Sequence, residues 1–314
     1  MRIISLLASA TEIVCSLGLA DELVGISHEC DFPLEITSKP RVTRSAIDSN
    51  SLTSREIDQA VHAQQESGHG LYELDTQLMA KLEPDLLITQ GLCEVCAVSH
   101  SLVRQTLPEL PTRPRVLSLS PQHLADVLSD IKTIGDFTGC QAEARKLITS
   151  LRTRLDRVAM KTANLTRVSR VFCLEWLDPP WTAGHWVPEM VGLAGGMDPL
   201  MVAGLPSRQS SWHEISESRP DVIVVMPCGF DLARTFAETA RTDWPPEWPE
   251  LPAVQQGRVW AVNGSAYFNR AGPRLFTGLE ILAEMLHPEL FQGLIPPDGA
   301  KPLSAKLLTA ERQS

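Results

Sequence analysis

The chain has 314 residues, of which 43% are apolar and 21% charged, as in an ordinary globular protein. Its 28 basic and 38 acidic side chains leave a formal net charge of −10, and no block of lysines and arginines occurs, which argues against nucleic-acid binding. No apolar run approaches the ~20 residues of a membrane-spanning helix. The sequence therefore predicts a protein of two domains that is not inserted in a membrane.

The first part of the chain predicts an α/β lobe over residues 1–138. Short apolar runs at 2–7, 23–27, 85–89 and 116–119 indicate strands, and stretches with helical spacing separate them. Ligands of an open parallel sheet bind beyond the carboxyl ends of its strands. Two loops in such positions bring potential metal ligands, namely His28, Cys30, Cys93, Cys96 and His100.

The middle of the chain predicts a long helix between two lobes. After Gly139, residues 141–159 carry apolar side chains at helical spacing and a basic side that we expect to face solvent. We place this linker helix at 139–166, a second α/β lobe at 167–295 and a tail at 296–314. The predicted fold is therefore two Rossmann-like lobes with parallel sheets, joined by a single long helix.

The second lobe repeats the order of strand, loop and helix. Residues 221–226 form a continuous apolar run, which is typical of a parallel strand covered on both faces, and 273–286 predicts a closing helix. The strand-end loops of this lobe carry the candidate ligand-binding residues, which are Glu175, Trp176, Trp181, His185, Trp186, Cys228, Tyr267, Phe268, Asn269 and Arg270.

These side chains suit a large, flat and mostly apolar ligand, because such sites combine aromatic walls with a few directed polar groups. We expect Arg270 to donate hydrogen bonds to amides or to an anionic group of the ligand. The alternative, that the tryptophans fill the core of the lobe, stays open at this stage. The expected apolar walls are Trp181, Trp186, Tyr267 and Phe268.

The pair Cys93-x-x-Cys96 has three interpretations. It could bind a metal ion with Cys30, His28 or His100, act as a redox dithiol, or consist of two inert buried thiols. Seven cysteines without regular spacing fit a reducing compartment, and the N-terminal stretch reads as a first strand rather than a signal peptide. We therefore expect a cytoplasmic protein, with a periplasmic location as the alternative.

Several stretches resemble the cobalamin- and ferric-siderophore-binding proteins of ABC importers, over about residues 2–290. The resemblance is carried by Ile4-Ser-Leu-Leu-Ala-Ser-Ala-Thr-Glu12, Leu82-Glu-Pro-Asp-Leu-Leu-Ile88, Pro220-Asp-Val-Ile-Val-Val225 and Gly257-Arg-Val-Trp260. A subgroup described as cobalamin-binding, without a leader and with Cys-x-x-Cys, is similar at His28-Glu-Cys-Asp31, Leu92-Cys-Glu-Val-Cys96, Gly184-His-Trp-Val-Pro188 and Tyr267-Phe-Asn-Arg270.

The resemblance implies a soluble binding protein that holds a corrinoid or similar metal-containing ligand between its lobes. His185, Cys93 and Cys96 are then the candidates for axial or thiolate contact with the metal. An ABC importer is implied as partner, docked through one acidic side chain on each lobe. The matching positions here hold Gln77 and His213, with Asp75 and Glu214 close by.

Two other functions remain as alternatives to a non-catalytic binding protein. One is a cytoplasmic thiol-dependent enzyme that acts on a metal-bound ligand through Cys93 and Cys96. The other is a protein that binds a metal ion at the same cysteines.

Overall fold

The computed structural model of the protein describes residues 1–49, 51–67, 70–91, 98 and 100–304. The chain divides into two compact units that are not continuous in sequence. Unit 1 comprises Met1–Leu52, Glu56–Pro121 and Ala125–Ser150. Unit 2 comprises Leu151–Ser314 together with the short segments Thr53–Arg55 and Gln122–Leu124.

The strands of unit 1 are β1 (Ile3–Ser5), β2 (Leu23–Ile26), β3 (Thr43–Ser45), β4 (Tyr72–Leu74), β5 (Leu86–Gln90) and β6 (Arg115–Leu119). Among the described residues, four of them form a parallel sheet in the order β2-β1-β5-β6, and β3 pairs with β4 antiparallel. The helices that begin in this part of the chain are α1 (Ala8–Ser16), α2 (Ser54–Glu66), α3 (Thr76–Lys81), α4 (His100–Thr106), α5 (Leu124–Thr138) and α6 (Gln141–Thr162).

The core of unit 1 forms where the apolar strands meet the helices. Ile4 and Leu87 on neighbouring strands are fully buried and pack with Met79 of α3 and Val103 of α4. Burial of aliphatic side chains on both faces explains why these strands are short continuous apolar runs.

Unit 2 contains the strands β7 (Ser169–Trp176), β8 (Trp181–Thr182), β9 (Gly196–Met197), β10 (Arg208–Gln209), β11 (Val222–Val225), β12 (Val259–Val262) and β13 (Ala300–Pro302). Its further helices are α7 (Val187–Leu193), α8 (Trp212–Ser218), α9 (Leu232–Arg241), α10 (Pro252–Gln255), α11 (Gly264–Tyr267) and α12 (Leu275–Leu286). Short 3₁₀ turns lie at Ala20–Glu22, Leu34–Ser38, Leu107–Glu109 and Trp248–Glu250.

The sheet of unit 2 has a parallel centre and antiparallel edges. In the described part of the chain its order is β10-β8-β7-β11-β12-β13, with β7, β11 and β12 parallel and β9 beside the start of β7. All four residues of β11 are fully buried, as the apolar run at 221–226 predicts. Beside this core, Trp244 stacks on the buried Trp248 with ring centroids 3.8 Å apart, and Trp212 packs edge-on against both.

Helix α6 covers most of the segment predicted as the linker and passes from unit 1 to unit 2 after Ser150. Its basic side does not simply face solvent as expected. Arg154 and Arg157 both pair with Glu280 of α12, whose side chain is only 8% exposed. A buried carboxylate needs such partners, so this part of α6 is fixed to unit 2.

The predicted tail at 296–314 is corrected in part. Ala300–Pro302 forms the edge strand β13, which pairs antiparallel with β12, while residues 305–314 lie outside the described residues.

No helix within the described ranges combines the length and the apolar character that crossing a bilayer requires.

Candidate functional site

The loop after β2, in unit 1, brings His28 and Cys30 into a closed environment. Cys30 is 1% exposed and its Sγ lies 3.0 Å from the hydroxyl of Thr11. The Nδ1 atom of His28 lies 2.6 Å from Oγ1 of Thr43, and its Nε2 is buried, 3.5 Å from a carboxylate oxygen of Glu29. Burial lowers the pKa of His28 despite that carboxylate.

The metal site predicted in unit 1 is not supported by these contacts. Cys93 and Cys96 lie outside the described residues, as does the side chain of His100. Within the ranges that the structure describes, no group of three or more histidines, cysteines or acids is arranged to hold a metal ion. In the described contacts, His28 bonds Thr43 and Cys30 bonds Thr11, and their part in a metal site with Cys93 and Cys96 stays a prediction.

In unit 2, the carboxyl ends of β7 and β11 place Glu175, Trp176 and Cys228 next to one another. The backbone N–H of Cys228 donates to the carbonyl of Glu175 at 3.1 Å, and all three side chains are half-buried. The indole of Trp176 packs edge-on against Phe230 and donates from Nε1 to the carbonyl of Ser54 at 3.1 Å. This strand end is therefore partly open and has a fixed backbone.

The segment that follows β8 is fastened to the loop before β10. The N–H of Gly184 donates to Oγ of Ser207 at 3.0 Å, and the N–H of His185 donates to the carbonyl of Leu205 at 2.6 Å. A return bond runs from the N–H of Gly204 to the carbonyl of His185 at 2.8 Å. A Cβ atom at position 184 would lie 2.3 Å from the nitrogen of Ser207, so only glycine fits there.

His185 occupies an unusual backbone conformation at this site. Its φ is +52°, in the left-handed region that costs an ordinary residue about 1 kcal/mol or more. Its Nδ1 lies 2.8 Å from Oε1 of Gln122, and its ring centroid is 5.7 Å from that of Trp186. The half-buried ring has a pKa lowered by burial, which favours the neutral imidazole.

Three residues expected to form apolar walls are instead buried supports. Trp186 is 5% exposed and donates from Nε1 to the carbonyl of Phe268 at 2.7 Å. Phe268 is fully buried, and Tyr267 is 8% exposed with its hydroxyl 3.0 Å from Oδ1 of Asp298. These three rings are therefore buried in the structure, whereas Trp181 remains half-buried, and ligand contact by any of the four rings stays a prediction.

The other candidates of the loop after β12 are partly accessible. Asn269 donates from Nδ2 to the carbonyl of Met226 at 3.3 Å, which ties this loop to the end of β11. Arg270, next to it, is half-buried. The structure thus places Glu175, Cys228 and Asn269 at or beyond the carboxyl ends of β7, β11 and β12, and burial divides the predicted residues of unit 2 into partly accessible and buried groups.

Gln122 is a site residue that the sequence reasoning missed. It follows the end of β6 by three residues, and its side chain reaches His185, 63 positions away in the sequence. The signal that could have identified it is its place in residues 120–123, which follow the carboxyl end of β6.

A cavity of about 340 Å³ lies elsewhere in unit 2. It is lined by the end of α6 and the end of α7, including Thr162, Leu193 and Gly196, which pairs with Ser169 at the start of β7. Since ligands of such sheets bind beyond the carboxyl ends, this cavity at the amino end is not the candidate site.

The residues near the expected docking positions are engaged within their own units. Asp75 caps α3 by accepting from the N–H of Leu78 at 2.8 Å. Glu214, in the first turn of α8, pairs with Arg208 and accepts from Ser210, and these partners lower its pKa to about 2.

These features define a class of protein, an α/β protein of two units that share a long helix and carry their candidate ligand contacts in loops beside the sheets. The sequence pattern of the family described as periplasmic binding proteins matches residues 3–265. The chain belongs to this family. The predicted resemblance and the predicted fold class are thereby confirmed.

Individual relatives are distant but match over most of their length. The ABC transporter substrate-binding lipoprotein YvrC of Bacillus subtilis is 24% identical over 302 residues, with 93% of this chain and 81% of that protein covered. The vitamin B12-binding protein of Vibrio cholerae is 23% identical over 282 residues, covering 89% and 86%. The crystal structure of a periplasmic heme-binding protein from Pseudomonas aeruginosa superimposes with a TM-score of 0.70 at 21% identity, covering 98% and 96%.

The descriptions of these relatives bear on two predictions. One relative is a lipoprotein and another is periplasmic, so they support the periplasmic alternative and not the cytoplasmic location. The relatives are binding proteins for small molecules, which agrees with the predicted kind of function, whereas a metal ion held by the cysteines finds no support.

Proposed function

We propose that this protein binds a corrinoid or a similar flat metal macrocycle and delivers it to an ABC importer. The observation that carries the proposal is that Trp181, His185 and Arg270, on three loops of unit 2, are each half-buried and so keep part of the side chain accessible. A tryptophan face, a neutral imidazole and a guanidinium correspond to a flat apolar surface, a metal and peripheral polar groups.

Membership of the periplasmic binding protein family supports the transport role. A vitamin B12-binding protein among the relatives favours a corrinoid as the ligand, and the heme-binding protein of the same fold makes heme the natural comparison. Both ligands present a planar conjugated ring around one metal ion. We propose a periplasmic location on the same grounds.

The direct test is calorimetric titration of the purified protein with aquocobalamin and, separately, with ferric heme. We expect saturable 1:1 binding of aquocobalamin with a Kd of about 1 μM or lower. A Kd of this size corresponds to a standard binding free energy of roughly −8 kcal/mol. Stronger binding of heme than of cobalamin would replace the corrinoid by heme as the proposed ligand, and the protein would still be a binding protein for metal macrocycles. Absence of binding to both compounds would refute the proposal.

A pair of tryptophan variants locates the site. Trp181→Ala is expected to weaken binding by about 10-fold, because the loss of a stacking face costs roughly 1–2 kcal/mol. Trp244→Ala is the matched control, since Trp244 is also half-buried but packs in the cluster with Trp212 and Trp248. Equal losses of affinity in the two variants would place the ligand elsewhere.

A further inference from the structure

His185 differs from the other histidines of the candidate loops in how its backbone is held. Residues other than glycine adopt the left-handed conformation rarely, and here it is maintained by the bonds to Leu205 and Gly204 and by the tight approach at Gly184. Non-glycine residues in this region persist only where the surroundings over-determine them, and they concentrate at functional sites. The loop therefore fixes where the imidazole is placed.

The contact with Gln122 determines which ring nitrogen carries the proton. An amide oxygen only accepts hydrogen bonds, so Oε1 of Gln122 requires a proton on Nδ1 of His185. The neutral ring then has its lone pair on Nε2. Metal-bound histidines in proteins are oriented in the same way, by donating the other ring N–H to a fixed acceptor.

The second ring nitrogen is available. No residue in the part of the chain that the structure describes hydrogen-bonds Nε2 of His185, and this atom is not among the buried polar atoms without a partner. The ring is half-buried rather than exposed, and burial favours its neutral form, which is the form that ligates metals.

We propose that His185 coordinates the metal of the bound macrocycle through Nε2, and that Gln122 is the positioning residue that holds the ring in the required tautomer. The inference rests on the proposed function. The step is a ligand exchange in which the bond from the metal to an axial water breaks, a bond from the metal to Nε2 forms, and water leaves. The metal keeps its oxidation state and no proton is transferred.

The experiment compares two probes that differ at the axial position. Aquocobalamin has an exchangeable axial water, whereas cyanocobalamin has cyanide there and offers no open position. Visible spectra and affinities are measured for the intact protein with both. We expect a spectral shift with aquocobalamin alone, and an affinity for aquocobalamin at least ~10-fold above that for cyanocobalamin.

Variants assign the shift to the two residues. His185→Asn keeps a residue type that tolerates the left-handed backbone, and it should abolish the shift and equalise the two affinities. Gln122→Ala should weaken aquocobalamin binding by ~10–100-fold, whereas Gln122→Glu, which retains an acceptor, should restore most of it. His213→Asn, at an exposed histidine of the same unit, is the control and should change neither quantity.

A second measurement does not depend on the ligand. Nitrogen-15 NMR of the ligand-free protein should show His185 with its proton on Nδ1, and this signature should be lost in Gln122→Ala.

The outcomes separate the two proposals. Binding of both cobalamins without a shift, or a shift that persists in His185→Asn, overturns the coordination by His185 and leaves the binding function intact. A proton on Nε2 of His185 in the ligand-free protein also overturns it. If the protein binds neither cobalamin, the corrinoid function itself fails.

Discussion

Two histidines, one in each unit, follow strands and look alike in sequence, yet only one of them is available to a ligand. His28 and His185 are both half-buried, and each has Nδ1 within 2.8 Å of a side-chain oxygen. The Nε2 atom of His28 is buried beside Glu29, whereas that of His185 is accessible. The difference teaches that a position after a strand does not by itself leave a histidine open to a ligand, because the surroundings of the second ring nitrogen decide whether that atom is accessible.

The largest expected effect comes from removing the support beneath His185. Trp186→Ala should lower the free energy of unfolding by about 4 kcal/mol, because it deletes a buried indole and its bond to Phe268. Chemical denaturation followed by circular dichroism measures this loss. Trp181→Ala should cost only about 1 kcal/mol of stability, since Trp181 is half-buried, and comparable losses would contradict the division into supporting and accessible tryptophans.

Gly184→Ala, in the same loop, should lower the free energy of unfolding by about 3 kcal/mol. The added Cβ would press on backbone atoms of residues 205–207, which cannot give way as a flexible side chain would. The readout is the melting temperature together with cobalamin affinity. Gly192→Ala is the control, because nothing lies within 4 Å of a Cβ there and alanine favours helix α7. Similar losses of stability in Gly184→Ala and Gly192→Ala would refute the close contact between Gly184 and the backbone of residues 205–207.

Thr43→Val tests the other histidine. It removes the hydroxyl that bonds the ring and the backbone N–H of His28, and we expect a loss of about 2 kcal/mol in unfolding free energy. Cobalamin affinity should change by less than about twofold, in contrast to Gln122→Ala. A larger change in affinity would show that the loop of His28 takes part in binding.

The smallest effect concerns a buried acid in unit 1. Burial, with a further contribution from Asp126, raises the pKa of Asp130 from its usual 3.8 to about 7, and its Oδ2 has no hydrogen-bond partner among the residues that the structure describes. Folding therefore disfavours the ionised form, and stability is lost as the pH rises from about 4 through 7. Because the group is partly exposed, Asp130→Asn should gain only about 1 kcal/mol at pH 8 and almost nothing at pH 4. Denaturant unfolding at the two pH values measures this, and an equal gain at both would contradict it.

Much of the fold was predictable because its strands and helices have strong apolar patterns. The run at 221–226 contains β11 (Val222–Val225), and the predicted helix at 273–286 contains α12 (Leu275–Leu286). Both elements are buried on several sides, so nearly all of their residues are apolar, and this apolar composition made them recognisable in the sequence. The edge strand β13 was not predicted, since three residues at the edge of a sheet carry no such pattern.

The loops that carry the candidate residues were predictable, but the contacts of those residues were not. Strand ends identified the loops, yet the burial of Tyr267 depends on Asp298 and that of Trp186 on Phe268, which are contacts between distant parts of the sequence. Asn263 caps the short helix α11 by accepting from the N–H of Ala266, which is a local preference readable from sequence, whereas the burial of Phe268 at the end of that helix is not. The contact of Gln122 with His185 likewise depends on the folded chain.

The backbone at position 185 has a consequence for how the protein can change over evolutionary time. Glycine would adopt the left-handed conformation at this position without steric strain, and asparagine would adopt it at little cost. Backbone strain alone would therefore favour those two residues over histidine. If His185 coordinates the metal as proposed, its imidazole has a role that neither of those residues could take over. Relatives with the same loop and glycine at this position are then expected to bind a cargo without a bond from this residue to a metal.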